Sequence, residues 1–293
     1  MDVTIEREAD VEVPNPAGLE GLEFVEFATP RPQALGHLLE IVGFRPVARH
    51  RSREVLLYRQ GTMNVVVNGH AGPAGASAGP DDEVPRIAAV ALRCRDAGAA
   101  WRRAIELGAW PAEVQVRAME LHIPAIVGPG ASRIYFVDRW REFSIFDIDF
   151  VPVPTVEPAV PARAGLHWFG IVQYVGAARA ADWCHFYAEL LGFEALPAER
   201  RFGILPAGRI LRSPCGTWHL QLVEPEPDAD SPGPERFQRL ALGAPDIATA
   251  VRELQSRGLP FVEAGALRPS FAGALSRVQL GSVMFELVRH EAA

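Results

Sequence analysis

The sequence predicts an α+β protein of two domains, each built from paired βαβββ modules. Two observations lead to this. A strand, an amphipathic helix and a run of short strands recur in one order along the chain, with helices stopped at Gly43-Phe44, Gly108, Gly192-Phe193 and Gly258. Between the halves, 151–164 carries four prolines and no hydrophobic period, which describes a stiff extended linker. The expected boundaries are an N-terminal arm at 1–20, a first domain at 21–153, a linker at 154–164 and a second domain at 165–293.

Taken in order, residues 1–20 are acidic and Pro-containing, and predict a poorly ordered arm. Leu22 to Ala28 alternates as a strand does, and Pro32 to Val42 has apolar residues at helical spacing. Arg45 to Ala48, Glu54 to Arg59 and Met63 to Asn68 predict three strands, the last two joined at Gln60-Gly61. His70 to Pro85, crowded with Gly, Ala and Pro, predicts a mobile loop. Arg86 to Arg93 is a strand, Asp96 an N-cap for a helix to Leu107, and Ser132 to Val137 and Phe143 to Phe150 two further strands. The second half repeats this: a strand at Leu166 to Val175, a helix at Ala178 to Leu191, and strands at Arg209 to Arg212 and Thr217 to Val223. After a Pro-rich acidic loop at 224–234 come a strand from Arg236 to Leu242, a helix from Asp246 to Arg257, and strands at Leu275 to Leu280 and Val283 to Val288.

Of the 293 residues, 48% are hydrophobic and 22% charged, the balance of a globular chain with a substantial core. A net charge of -7 without a clustered basic face excludes a nucleic-acid partner. No apolar run is long enough to cross a bilayer, so no membrane partner is expected. The acidic N-terminus lacks a secretory pattern. The odd, scattered set Cys94, Cys184 and Cys215 has no metal-type pairing and fits a reducing cytoplasm. Cys94 and Cys184 are expected as small core residues.

Glu23-Phe-Val-Glu-Phe-Ala-Thr-Pro30, Val47-Ala-Arg-His-Arg-Ser52, Leu57-Tyr-Arg-Gln-Gly61 with Asn64, Ile123-Pro-Ala-Ile126, Tyr135-Phe-Val-Asp138 and Ser144-Ile-Phe-Asp-Ile-Asp-Phe-Val-Pro152 carry a resemblance. Over most of 21–153 the chain resembles the N-terminal domain of the 4-hydroxyphenylpyruvate dioxygenase family, within the vicinal oxygen chelate superfamily. That plan implies curved sheets wrapped around a central cavity. The second half resembles the catalytic domain more loosely, through His185-Phe-Tyr187, Leu240-Ala-Leu242 and Phe285-Glu286.

In that family two His and one carboxylate hold Fe(II), which chelates a 2-oxo acid. The resemblance implies that Glu286, in the last strand, is the carboxylate. It puts Arg239, in Gln238-Arg239-Leu240-Ala241, where the second His belongs. An arginine does not ligate a metal, but its fork can donate bidentately to Glu286. The family spacing from Gly192-Phe193 puts the first His at Gly170, three residues after His167, and such an offset points to the other face of a strand. Gln221 stands where related enzymes often place a Glu ligand, and His219 shares its strand parity. Gln279 resembles a substrate-contacting Gln, and Trp168, beside His167, is a further candidate substrate contact. The family's C-terminal helix, which covers its site, has no counterpart after Glu286, so the pocket is expected to be open or covered by other loops or another subunit.

Three functions follow. The first is a dioxygenase-like protein with a degenerate iron site and no metal cofactor, binding or transforming a small aromatic or 2-oxo acid through Arg239, Glu286, Gln221 and His219. The second is an enzyme using Fe(II) or another divalent metal on a shifted set: His167, His219 and Glu286. The third is a non-catalytic structural or partner-binding subunit, which a sealed cavity would favour. The apolar module edges are compatible with a homo-dimer.

Overall fold

The computed structural model describes residues 14–69, 83–113, 120–204, 208–225, 233–263, 265 and 268–291. Of the expected arm and loops, residues 1–13, 70–82 and 226–232 lie outside the described residues. The first half runs β1 (Leu19–Ala28), α1 (Pro32–Val42), β2 (Arg45–His50), β3 (Val55–Gln60), β4 (Met63–Asn68), β5 (Arg86–Cys94), α2 (Ala97–Glu106), β6 (Ala125–Val127), β7 (Arg133–Val137), α3 (Ile145–Asp149) and β8 (Phe150–Pro152). The second runs β9 (His167–Tyr174), α4 (Ala180–Leu191), β10 (Glu194–Ala195), β11 (Arg209–Arg212), β12 (His219–Val223), β13 (Arg236–Ala244), α5 (Ile247–Ser256), β14 (Gly273–Leu275) and β15 (Phe285–Arg289).

Each half forms one sheet, ordered β6-β7-β5-β1-β4-β3-β2-β8 and β10-β11-β12-β9-β13-β15-β14. The repeat shows in the pairing. The opening strands of two modules run antiparallel at the centre (β1 with β5, β9 with β13), and each is flanked by a parallel strand of its own module. The fold is therefore the paired-module α+β plan that the sequence predicts.

Helix ends follow their local chemistry. Gly43 and Gly192 close α1 and α4 in the left-handed region, at φ 116° and 77°. Asp96 and Asp246 cap α2 and α5 by accepting from the backbone N–H of Ala99 and Thr249.

Four expectations are corrected. β1 begins at Leu19, within the segment expected to be an arm, because Leu19 is a core residue. Phe143 to Phe150 is not a strand: the Asp147 carboxylate accepts from the Ser144 N–H at 2.8 Å, starting α3. Leu275 to Leu280 is not a strand: β14 ends at Leu275, Ser276 makes one isolated bridge to Phe261, and the chain then turns through Leu280 at φ 51° and folds Gln279 back on Val283. Cys184 is half-buried rather than a core residue.

A continuous apolar core joins one face of both sheets through α1, α2, α4 and α5. Arg257 of α5 reaches across the halves to the last carbonyls of α1, donating to Glu40 O at 2.6 Å and Ile41 O at 2.7 Å. The opposite face of the first sheet is filled by Phe24, Phe146, Val137 and their neighbours, with Tyr135 and Trp140 packed against them. Among the described residues the corresponding face of the second sheet has a smaller apolar cluster, Phe169, Ala241 and Val288, with Phe202 laid over them. This difference positions the site. No helix among the described residues is long and apolar enough to cross a membrane.

Candidate functional site

On the sparsely filled face of the second sheet, β13 and β15 run parallel with Ala241 opposite Glu286. Alternation sends Leu240, Leu242, Phe285 and Leu287 into the core. It leaves Arg239, Ala241, Glu286 and Val288 on the other side. Arg239 is 5% exposed and Glu286 2%, so both charges have been taken out of water. The Arg239 Nε–H donates to Glu286 Oε2 at 3.3 Å, and Nη1 donates to the Tyr174 hydroxyl at 3.2 Å, with the guanidinium 5.9 Å from the centre of that ring. Burial pushes Glu286 from its ordinary 4.5 up to about 7, with the attraction and hydrogen bond of Arg239 pulling the other way.

The cavity beside this pair is lined by Phe169, Gly170, Val172, His219, Gln221 and Glu286, among others. His219 stacks on Phe169, their centroids 4.8 Å apart with the planes at 22°, and leans on Phe202 at 4.9 Å. Its Nδ1 is buried without a partner, and burial holds its pKa down at about 4, so the ring is neutral at ordinary pH. The open volume is ≈ 20 Å³, room for about one water molecule.

The site therefore brings Arg239, Glu286, His219 and Gln221 together. Three other candidates stand elsewhere. His167 lies at the mouth of β9, with Nδ1 2.9 Å from Gly165 O and Nε2 3.0 Å from His290 Nδ1. Since a carbonyl only accepts, His167 Nδ1 carries the proton, and His290 Nδ1 donates to His167 Nε2. Trp168 points to the helix side, in the shared core. Gln279 sits in the turn before β15, its amide donating to Arg277 O. The shifted ligand set of His167, His219 and Glu286 does not assemble, because His167 is engaged with His290. Among the described residues no three His, Cys, Asp or Glu side chains come close enough to hold a metal ion.

Gly170 faces the backbone of β12. A Cβ there would stand 2.3 Å from His219 O. Sequence reasoning missed Tyr174, Phe169 and Phe202. Tyr174 shares strand parity with Val172, but the pairing of Val172 with Arg239 that brings it to the guanidinium is not written in the sequence. Phe202 follows an Arg-rich turn with no period to mark it.

Residues 13–151 match the family described as hydroxyphenylpyruvate dioxygenase, N-terminal, and residues 166–266 match the glyoxalase/bleomycin resistance protein/dioxygenase superfamily. The chain is 30% identical to the 4-hydroxyphenylpyruvate dioxygenase of Pseudomonas aeruginosa over 87% of its own length and 74% of that protein. The chain belongs to the 4-hydroxyphenylpyruvate dioxygenase family. It is also 41% identical to a Pseudomonas 4-hydroxyphenylpyruvate dioxygenase over 62% of this chain, a match spanning 51% of that relative's length. Among solved structures, a fusion of a xylose isomerase-like TIM barrel with 4-hydroxyphenylpyruvate dioxygenase superposes with a TM-score of 0.73 at 25% identity, covering 96% of this chain and 51% of that one.

Proposed function

We propose that this chain is a member of the 4-hydroxyphenylpyruvate dioxygenase family without the family's Fe(II) centre. In this reading the cavity of the second half holds a small aromatic or 2-oxo acid and either binds it or transforms it by acid–base chemistry. The observation that carries the reading is the buried contact between Arg239 and Glu286. A guanidinium stays protonated and offers no lone pair. In this reading Gly170 stands at the other position, His219 is the imidazole that lines the cavity with Glu286, and among the described residues no three His, Cys, Asp or Glu side chains gather to hold an iron ion.

The residues present suit an anion better. Arg239 gives Nε to Glu286 and one Nη1–H to Tyr174, and its remaining N–H groups offer a fork for a carboxylate. Glu286, held near neutrality, can take or return a proton beside a carbonyl. Gln221, also at the cavity, is of a type that hydrogen-bonds the same class of ligand.

The test has two measurements on the full chain. After equilibration with Fe(II), Mn(II) or Zn(II) and dialysis, elemental analysis is expected to find far less than one ion per chain. Calorimetric titration with phenylpyruvate is expected to show binding that Arg239→Met abolishes. One tightly held ion that Glu286→Gln removes would overturn the reading.

A second reading, a non-catalytic domain that serves a partner protein, is favoured by the ≈ 20 Å³ left in the cavity, since small-molecule sites usually run to hundreds of Å³. Failure of every aromatic or 2-oxo acid to bind would move the balance to it.

A further inference from the structure

One of the side chains that bound the ≈ 20 Å³ cavity, Phe202, comes from outside the sheet. Phe202 leaves the sheet in the segment between β10 and β11 and lays its ring against Phe169, centroids 5.0 Å apart and planes at 69°, and against His219 at 4.9 Å. The next residue, Gly203, turns at φ 62° directly over the charged pair: a Cβ there would come 2.7 Å from Glu286 Oε1. On its far side the turn is wedged against β14, where a Cβ on Gly273 would meet the Gly203 Cα at 2.8 Å. Two glycines at this crossing let backbone approach a buried carboxylate more closely than any side chain permits.

Phe202 is nonetheless not a core residue. It is half-buried, with the Arg200 guanidinium 5.3 Å from its ring centre. In the first half the matching face is covered by α3 and the rings of Phe24, Tyr135 and Phe146. The second half closes it with one ring carried on a turn.

We propose that the Phe202-Gly203 turn is an intramolecular plug, whose ring occupies the slot on Phe169 and His219 that the planar ring of an aromatic acid takes when the site is in use. The inference rests on the acid-binding reading above and adds to it a competition. The ligand's ring displaces Phe202, and its carboxylate meets Arg239 once Gly203 has lifted from Glu286. Because only the open form binds, the observed affinity is the intrinsic affinity multiplied by the open fraction. A turn open less than a tenth of the time weakens binding more than tenfold.

The experiment is a calorimetric titration of the full chain with phenylpyruvate, in wild type, Phe202→Ala and Phe202→Trp. Circular dichroism and the melting temperature establish that each variant is folded. Phe202→Ala is expected to bind at least tenfold more tightly than wild type. In Phe202→Trp the added indole is expected to shift its emission to longer wavelength on ligand addition, beyond any change in wild type, as the ring leaves the slot. Equal affinities for wild type and Phe202→Ala, or a new indole that ignores the ligand, would overturn the plug while leaving acid binding in place. Absence of binding in wild type and Phe202→Ala alike would overturn both.

Discussion

Arg239 and Glu286 meet diagonally across two parallel strands: Ala241 is the residue paired with Glu286, and Arg239, two residues earlier on the same face, leans over to it at 3.3 Å. Such a contact is a poor source of net stability, because desolvating two charges offsets most of their attraction. Removing one partner is another matter. Arg239→Met leaves a buried carboxylate with no cation and is expected to lower unfolding free energy at pH 8 by about 3 kcal/mol. Adding Glu286→Gln is expected to restore most of that loss. Urea unfolding of the two single variants and the double variant measures the coupling, and additive losses would show that the two residues do not act as a pair.

Glu286 also gives stability a pH dependence of a definite sign. Its pKa rises from an ordinary 4.5 to about 7 on folding, so between those values the folded chain holds more proton than the unfolded one. Stability from this group is full below pH 4.5, falls as pH rises and levels off above 7. The difference between the ends is about 3 kcal/mol. Glu286→Gln removes the titration. Plotted against pH from 4.5 to 8, the stability of Glu286→Gln relative to wild type should climb. A flat difference curve would place the carboxyl in water.

The bond from Arg257 to the end of α1 ties the halves together. Its guanidinium donates to two carbonyls at the helix end, Ile41 O and Glu40 O, the second of which also accepts from the Gly43 N–H. Arg257→Met keeps the aliphatic stem and deletes both bonds, which is expected to cost about 1–3 kcal/mol. Faster hydrogen exchange at Gly43 and Phe44, whose amides close α1 onto Leu39 O, would accompany the loss. Unchanged exchange there would make Arg257 a surface residue in effect.

Much of this architecture was legible in the residues. Helix limits were readable because Gly43, Gly192, Asp96 and Asp246 announce themselves chemically, and strands because each has one face in a core. Two of the misreadings share a cause. Phe143 to Phe150 and Leu275 to Leu280 are short segments whose course is set by a single contact, Ser144 with Asp147 or Gln279 with Val283, and apolar period does not encode such contacts. At the site, Arg239 and Glu286 were readable from the resemblance to the family's catalytic half. Their enclosure was not. Phe202 approaches from a segment with no period, and Tyr174 reaches the guanidinium only because β9 and β13 hold Val172 opposite Arg239.

Rebuilding the iron ligands by mutation separates two ways in which a metal site can be absent. Were Arg239 the whole obstacle, Arg239→His with Gly170→His would give Glu286 two imidazoles and a three-ligand site. The backbone around Gly170 argues otherwise. A Cβ at that position would stand 2.3 Å from His219 O, closer than carbon and oxygen approach without a bond, and the obstruction is a neighbouring strand rather than a side chain that can turn away. Overpacking of this kind costs about 1–3 kcal/mol or more. Arg239→His alone is therefore expected to take up Co(II) weakly through one imidazole and Glu286. The double variant is expected to melt lower and to gain no further affinity. Gly170→Ala isolates the backbone effect and should lower the melting temperature with no metal present. A double variant that stays as stable as wild type and binds one Co(II) tightly, with the visible spectrum of a nitrogen–oxygen site, would mean that the strand spacing has room for the ligand and that Arg239 by itself excludes the metal.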